Sequence, residues 1–199
     1  MKSSVIFVFL IVVNLQALTQ PLWKVVKEKN GITVSLANVE SSKFKSIRVQ
    51  GIFDGTITKL ISIIYNMNSA SGWVYKTKTA SVLKRLTPYE FVYYTETSMP
   101  WPVSNRDAII HLTINPDTAH HLLRINAFSE PNYIEKKNGL VRVPYSKASW
   151  YVTESNNKLN IDYTFEVNPG GSLPAWLVNL MADKGPYETF RNLMTKLKQ

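Results

Sequence analysis

The chain has 199 residues, of which 45% are hydrophobic, 12% aromatic and 19% charged, the composition of one globular domain with a sizeable core. Its 23 Lys and Arg against 14 Asp and Glu leave a net charge of +9. This charge is scattered in ones and twos, which argues against nucleic acid as a partner and leaves weak attraction to an anionic membrane surface. Cysteine is absent, so disulfides, thiolate nucleophiles and Cys-ligated metals are excluded.

Residues 1–17 read as a cleaved secretory signal. Lys2 supplies the positive start, an apolar run follows from Val5 to Val13, and Leu15-Gln16-Ala17 is an acceptable cleavage site. The run is shorter than the ~20 apolar residues a membrane span needs. The expected product is exported, periplasmic or secreted, with one domain over residues 21–199. Within it, residues 23–30 are predicted as a short helix closed by Asn30-Gly31. Residues 32–38 and 44–53 alternate as strands, and Ile47, Val49, Gly51 and Phe53 share one face of the second. The period then changes, with Ile57, Leu60, Ile61 and Ile64 at helical spacing over 56–67 and Asp54 or Thr56 able to cap.

Strands over 75–86 and 89–97 are predicted to form a hairpin about Thr87-Pro88, with Phe91, Tyr93 and Thr95 on one face and Glu90, Val92, Tyr94 and Glu96 on the other. The stretch 98–107, Ser-Met-Pro-Trp-Pro-Val-Ser-Asn-Arg-Asp, then interrupts the strands. Its two prolines stiffen the backbone around Met99 and Trp101. Arg106 and Asp107 enter the next strand as neighbours, so the pleat sends them to opposite faces. Both are read as tying this connection to the sheet. Further strands are expected over 108–115, 120–128, 146–154 and 158–167, with an irregular segment over 129–144. In the last strand Leu159, Ile161, Tyr163, Phe165 and Val167 alternate with polar residues. Residues 173–198 carry the longest helical pattern, with a kink expected at Gly185-Pro186. The sum is an α+β domain in which the terminal helix covers the apolar face of an antiparallel sheet.

No constellation points to catalysis, a cofactor or a metal. His111, His120 and His121 fit no metal-ligand spacing, and the adjacent pair points to opposite faces of a strand. A nucleophile elbow and a phosphate-cradling glycine loop are both missing.

Three motifs in order, Met99 to Asp107 (Met-Pro-Trp-Pro-Val-Ser-Asn-Arg-Asp), Val143 to Trp150 (Val-Pro-Tyr-Ser-Lys-Ala-Ser-Trp) and Asn168 to Leu177 (Asn-Pro-Gly-Gly-Ser-Leu-Pro-Ala-Trp-Leu), resemble the START family of StAR-related lipid-transfer domains. The resemblance covers about residues 23–198. It implies a helix-grip fold, a curved antiparallel β-sheet wrapped around a long C-terminal α-helix with an internal hydrophobic cavity, holding one lipid or sterol-like ligand in a monomer. Met99, Trp101, Leu180 and Met181 are then expected at the entrance, and Tyr93, His111, Trp150, Tyr163, Trp176 and Leu177 in the cavity or at its mouth. The sterol-binding branch places an arginine in the strand that begins Arg-Asp. Here that strand continues Ala-Ile-Ile-His-Leu-Thr, and His111 is the polar group it offers. Two alternatives remain open: a polyketide-cyclase-like enzyme using His111, Tyr93 or Tyr163, and a ligand-free scaffold whose own aromatics fill the interior.

Overall fold

The computed structural model describes residues 21–40, 42–174, 176, 178–179 and 182–199. The chain builds β1 (Lys24–Lys29), β2 (Ile32–Val39), β3 (Ser42–Asp54), α1 (Ile57–Tyr65), a 3₁₀ turn (Met67–Gly72) and β4 (Thr77–Thr87). It continues with β5 (Glu90–Thr97), β6 (Arg106–Asp117), β7 (Leu122–Ser129), β8 (Val141–Arg142), β9 (Tyr145–Ser155), β10 (Lys158–Asn168) and, last, α2 (Lys184–Leu197). One sheet runs in the order β1-β2-β3-β10-β9-β7-β6-β5-β4, antiparallel throughout, while the short β8 extends β6 in parallel. The α1 connection carries the chain from β3 to the far edge at β4, and the later strands return until β10 meets β3 mid-sheet.

Two sequence expectations are corrected. Residues 24–29 form an edge strand, not a helix, paired with β2 across Asn30-Gly31. Both turn residues have positive φ, 53° and 73°, the geometry of a tight hairpin turn whose twist suits paired strands. The C-terminal region also divides. Trp176, Val178 and Asn179 are helical, Ala182 and Asp183 form a turn, and α2 begins at Lys184. Pro186 therefore lies in the first turn of α2, where its missing N–H would have no intrahelical partner, and it starts a helix instead of kinking one.

The expected helix over 56–67 is α1, begun as the sequence suggests. Thr56 Oγ1 accepts the Lys59 N–H at 3.2 Å, and Glu154 Oε2 accepts the Ile57 N–H at 2.7 Å. Its Leu60, Ile63 and Ile64 pack into the core shared by the inner face of the sheet and α2. From α2 come Tyr187, Phe190, Leu193 and Leu197. Phe190 lies 5.1 Å from both Trp150 and Tyr163 and 6.1 Å from Phe53, ring centre to ring centre. Gly51 allows the sheet to bend close to the first hairpin, since a Cβ there would lie 2.7 Å from the Gly31 carbonyl oxygen.

On the outer face, Val92, Tyr94 and Ile109 form a second small core beneath Ile134. The segment carrying Ile134 is held by Arg142. Its guanidinium grips Asp107 through two bonds of 2.9 and 3.0 Å and donates to the carbonyls of Pro131, Ile134 and Glu135. The Asp107 and Arg142 side chains are 1% and 2% exposed. The sequence expects Asp107 to tie the 98–107 connection to the sheet; through Arg142 it fastens the 131–135 segment instead.

Candidate functional site

The inner face is where a site can form, and strand alternation decides what lines it. Ala108, Ile110, Leu112 and Ile114 of β6 face inward, as do Phe91 and Tyr93 of β5 and Ile161 and Tyr163 of β10. Two aromatic banks result. Trp150, Tyr163 and Phe190 form one, with Trp150 and Tyr163 4.8 Å apart. Tyr65, Phe91 and Tyr93 form the other, with neighbouring rings 6.1 and 6.0 Å apart.

Tyr93 and Tyr163 are the two hydroxyl-bearing side chains among these inward-facing strand residues. Burial raises the ionisation of both far above the ordinary tyrosine range, and for Tyr163 the charge on Tyr93 adds to it. Yet both side chains retain accessible surface. Desolvation disfavours the charged phenolate, so both hydroxyls stay neutral and able to donate. The lining is apolar with a few hydroxyls, the usual make-up of a small-molecule site.

The end of the sheet where the resemblance puts an entrance is built by the 98–105 connection and the segment after β10. Asn105 Oδ1 accepts the Met99 N–H at 3.0 Å, while Asn105 Nδ2 donates to Glu96 Oε1 at 3.0 Å. Val103 N–H donates to Pro100 O at 2.9 Å, closing the connection on itself. Trp101 at its tip is 93% exposed, and Trp176 on the second segment is 68% exposed. Arg106 ties the two at their bases by donating to Ser104 O and, at 3.4 Å, to Gly170 O. The Trp176 segment is docked on the other side by Asn179, whose Oδ1 accepts the Lys45 N–H at 3.1 Å and whose Nδ2 donates to Lys43 O at 3.4 Å.

Of the residues singled out in the sequence, Tyr93, Trp150 and Tyr163 share the inner face, all packed against the core. Met99 is half-buried at the entrance end, while Trp101 and Trp176 project into solvent. Leu177, Leu180 and Met181 lie outside the described residues. His111 must be corrected, because it stands on the outer face opposite Ile110 and Leu112. There Nε2 meets Glu90 Oε1 at 2.7 Å, Nδ1 meets Glu130 Oε1 at 2.9 Å, and the ring lies 4.9 Å from Phe128. Burial opposes its charge, but the hydrogen bonds to Glu130 and Glu90 outweigh it and leave the pKa raised. The Ala108-Ile109-Ile110 run hid the parity of β6, since Ile109 is apolar for the outer core.

A cleft of about 440 Å³ also opens on the outer face, lined by Trp23, Arg48, Arg124, Tyr151 and Asp162 among others. Arg48 and Asp162 are paired within it. Its charged, open character does not suit an apolar ligand.

Against this geometry the comparisons are consistent. The family model described as the START domain matches residues 10–199. The phosphatidylcholine transfer protein of Mus musculus is 27% identical, with 85% of this chain and 80% of that protein covered. The crystal structure of a STAR-related lipid transfer protein from Xanthomonas axonopodis superposes with a TM-score of 0.83 at 28% identity, covering 89% of this chain and 99% of that one. Human StAR-related lipid transfer protein 5 shares the fold, with a TM-score of 0.78 at 21% identity over 89% of this chain and 86% of its own. With a curved antiparallel sheet closed by a C-terminal helix, and the family model matched over nearly its whole length, the chain belongs to the START domain family.

Proposed function

We propose that this protein is a non-enzymatic carrier that takes one lipid molecule into the space between the inner face of the sheet and the C-terminal helical segments and passes it between membranes. The observation that carries this reading is the apolar, aromatic-rich inner face of the sheet beneath the C-terminal helix, where Tyr93, Trp150, Tyr163 and Phe190 gather with two phenol hydroxyls among them. Support comes from the relatives named for lipid transfer. Burying acyl chains there supplies the driving force, at ~25 cal/mol per Å² of apolar surface before ordering costs. The cyclase-like alternative loses its main acid–base candidate, because His111 faces away from the interior.

Further parts of the reading follow. The basic, apolar start of the chain supports export to the periplasm or beyond. Exposed Trp101 and Trp176 support transient contact with a membrane surface, made by a monomer. Native mass spectrometry of protein purified from its source, followed by organic extraction, tests the central claim. One lipid per chain is expected. A chain that emerges empty and loads nothing from a lipid panel overturns it, and the N-terminal mass of the exported protein reports whether residues 1–17 are removed.

A further inference from the structure

Two arginines are buried among the described residues, and their surroundings differ sharply. Arg142 uses all its N–H groups: Nε and Nη2 on Asp107, Nη1 on Pro131 O and Ile134 O, and Nη2 again on Glu135 O. Arg106 is 6% exposed and, among the described residues, makes only the bonds to Ser104 O and Gly170 O, while its Nε is buried without a partner there. A guanidinium carries five N–H donors, so three have no acceptor among the described residues.

No carboxylate neutralises it. Asp107, its neighbour in sequence, points to the other face and is held by Arg142. Glu96 is engaged by Lys78 and Asn105. Positions 1–20, 41, 175, 177, 180 and 181 contain no Asp or Glu. Desolvation is the one cause acting on its ionisation, and it lowers the pKa. Isolated buried charge of this kind is costly and is ordinarily paired.

The position matters as much as the missing partner. Arg106 begins β6 opposite Thr97, with the parity of Ala108 and Ile110, so it belongs to the inner face at the entrance end. Gly170 and Gly171, at φ 69° and 67°, pass over it, and a Cβ on Gly171 would lie 3.4 Å from Nη2.

We propose that Arg106 recognises the oxyanion of the bound amphiphile, a phosphate or carboxylate, through the N–H groups that the protein leaves open. The inference rests on the reading of the interior as a lipid site and adds what fixes the polar end of the ligand. The planar fork of arginine suits two oxygens of one phosphate or carboxylate, which a lysine ammonium does not match.

The test uses the whole chain, stripped of lipid and offered an equimolar mixture of dioleoylphosphatidylcholine, oleic acid and dioleoylglycerol in non-ionic detergent, with loading read by native mass spectrometry. Wild type is expected to prefer a phosphate- or carboxylate-bearing lipid over dioleoylglycerol by roughly tenfold, about 1.4 kcal/mol. Which of the two loads identifies the oxyanion. Arg106→Gln should reduce the preference below about threefold with dioleoylglycerol loading unchanged, and Arg106→Lys should fall between, a split expected of a fork-shaped contact. A retained preference in Arg106→Gln, or an equal loss of all three lipids, overturns the proposal. If neither variant folds, the wild-type Arg106 Nε–Hε resonance decides. It should shift on loading the anionic or zwitterionic lipid and not with dioleoylglycerol or inorganic phosphate alone; an unmoved resonance, or one moved equally by inorganic phosphate, rejects it. Loading of all three lipids without preference removes this inference and leaves the carrier standing, whereas loading of none removes both.

Discussion

His111 illustrates how one side chain can be legible as polar and special while its use is not. Its ring is clasped between Glu90 on β5 and Glu130, where the outer covering segment begins. The folded pKa is raised, so the clasp's contribution to stability is complete below the ordinary value of 6.5. It is lost as pH rises through the raised folded value. The thermal midpoint of wild type relative to His111→Gln should therefore shrink on going from pH 6 to pH 9; a constant difference across that range rejects the argument. Asp107 calls for a different experiment. Asp107→Asn leaves the Arg142 guanidinium buried beside a neutral partner, and removing one member of such a pair typically costs about 3–5 kcal/mol. That loss should appear as a midpoint lowered by roughly 6–20 °C in a domain of this size. A fall of a degree or less would mean that the pair contributes little.

Helices and strands are most legible where one period runs undisturbed. In β10 the alternation of Leu159, Ile161, Tyr163, Phe165 and Val167 corresponds to the inner face, and Thr56 caps α1. The first strand escaped because its burial does not alternate: residues 24–29 form an exposed edge, and its pairing comes from the Asn30-Gly31 turn. The terminal helical pattern looks continuous in sequence because its apolar spacing carries on across the turn at residues 182–183. Placing Pro186 in the first turn of α2 has a measurable consequence. Pro186→Ala should change stability by less than about 1 kcal/mol, whereas removing an interior helix proline should stabilise by up to ~3 kcal/mol. Chemical denaturation separates the two. Phe190→Ala, on the buried face of the same helix, should cost about 3–5 kcal/mol because it strips contacts from Phe53, Trp150 and Tyr163. A cost below ~1 kcal/mol would show that α2 is not clamped against the sheet there.

The assembled sheet brings two Trp-bearing segments to one end. Because β5 ends and β6 begins where the chain leaves β10, the connection bearing Trp101 and the segment bearing Trp176 lie at one end, joined through Arg106 and Gly170. Lys43 and Lys45 lie alongside the second segment through their contacts with Asn179. Two exposed indoles with cationic neighbours suit the boundary of an anionic bilayer, where an aromatic ring and a basic side chain are each favoured. Trp101→Ala combined with Trp176→Ala should weaken sedimentation with phosphatidylglycerol-containing vesicles by roughly tenfold, a loss of ~1.4 kcal/mol, while leaving the thermal midpoint in place. Binding that survives the double substitution would move the membrane contact elsewhere. Raised salt should weaken what remains, since exposed charges are screened within about 8–10 Å at ordinary ionic strength.

From the order of residues alone came the class of fold, the alternation of most strands, the cap of α1, the stiff Pro-Trp-Pro connection and the family resemblance. These are local or near-local properties, set by side-chain period, turn chemistry and backbone restriction. The tertiary structure decided which face of β6 is inside, and with it that His111 looks outward. It also decided which arginine is neutralised. Arg142 meets Asp107 across 35 positions and Arg106 meets Gly170 across 64. Pairing and burial at such separations depend on how the strands are laid side by side, and a linear pattern holds no record of that. Asp107 and Arg106 are neighbours in the chain, yet the pleat sends one to a saturated ion pair and the other to the interior.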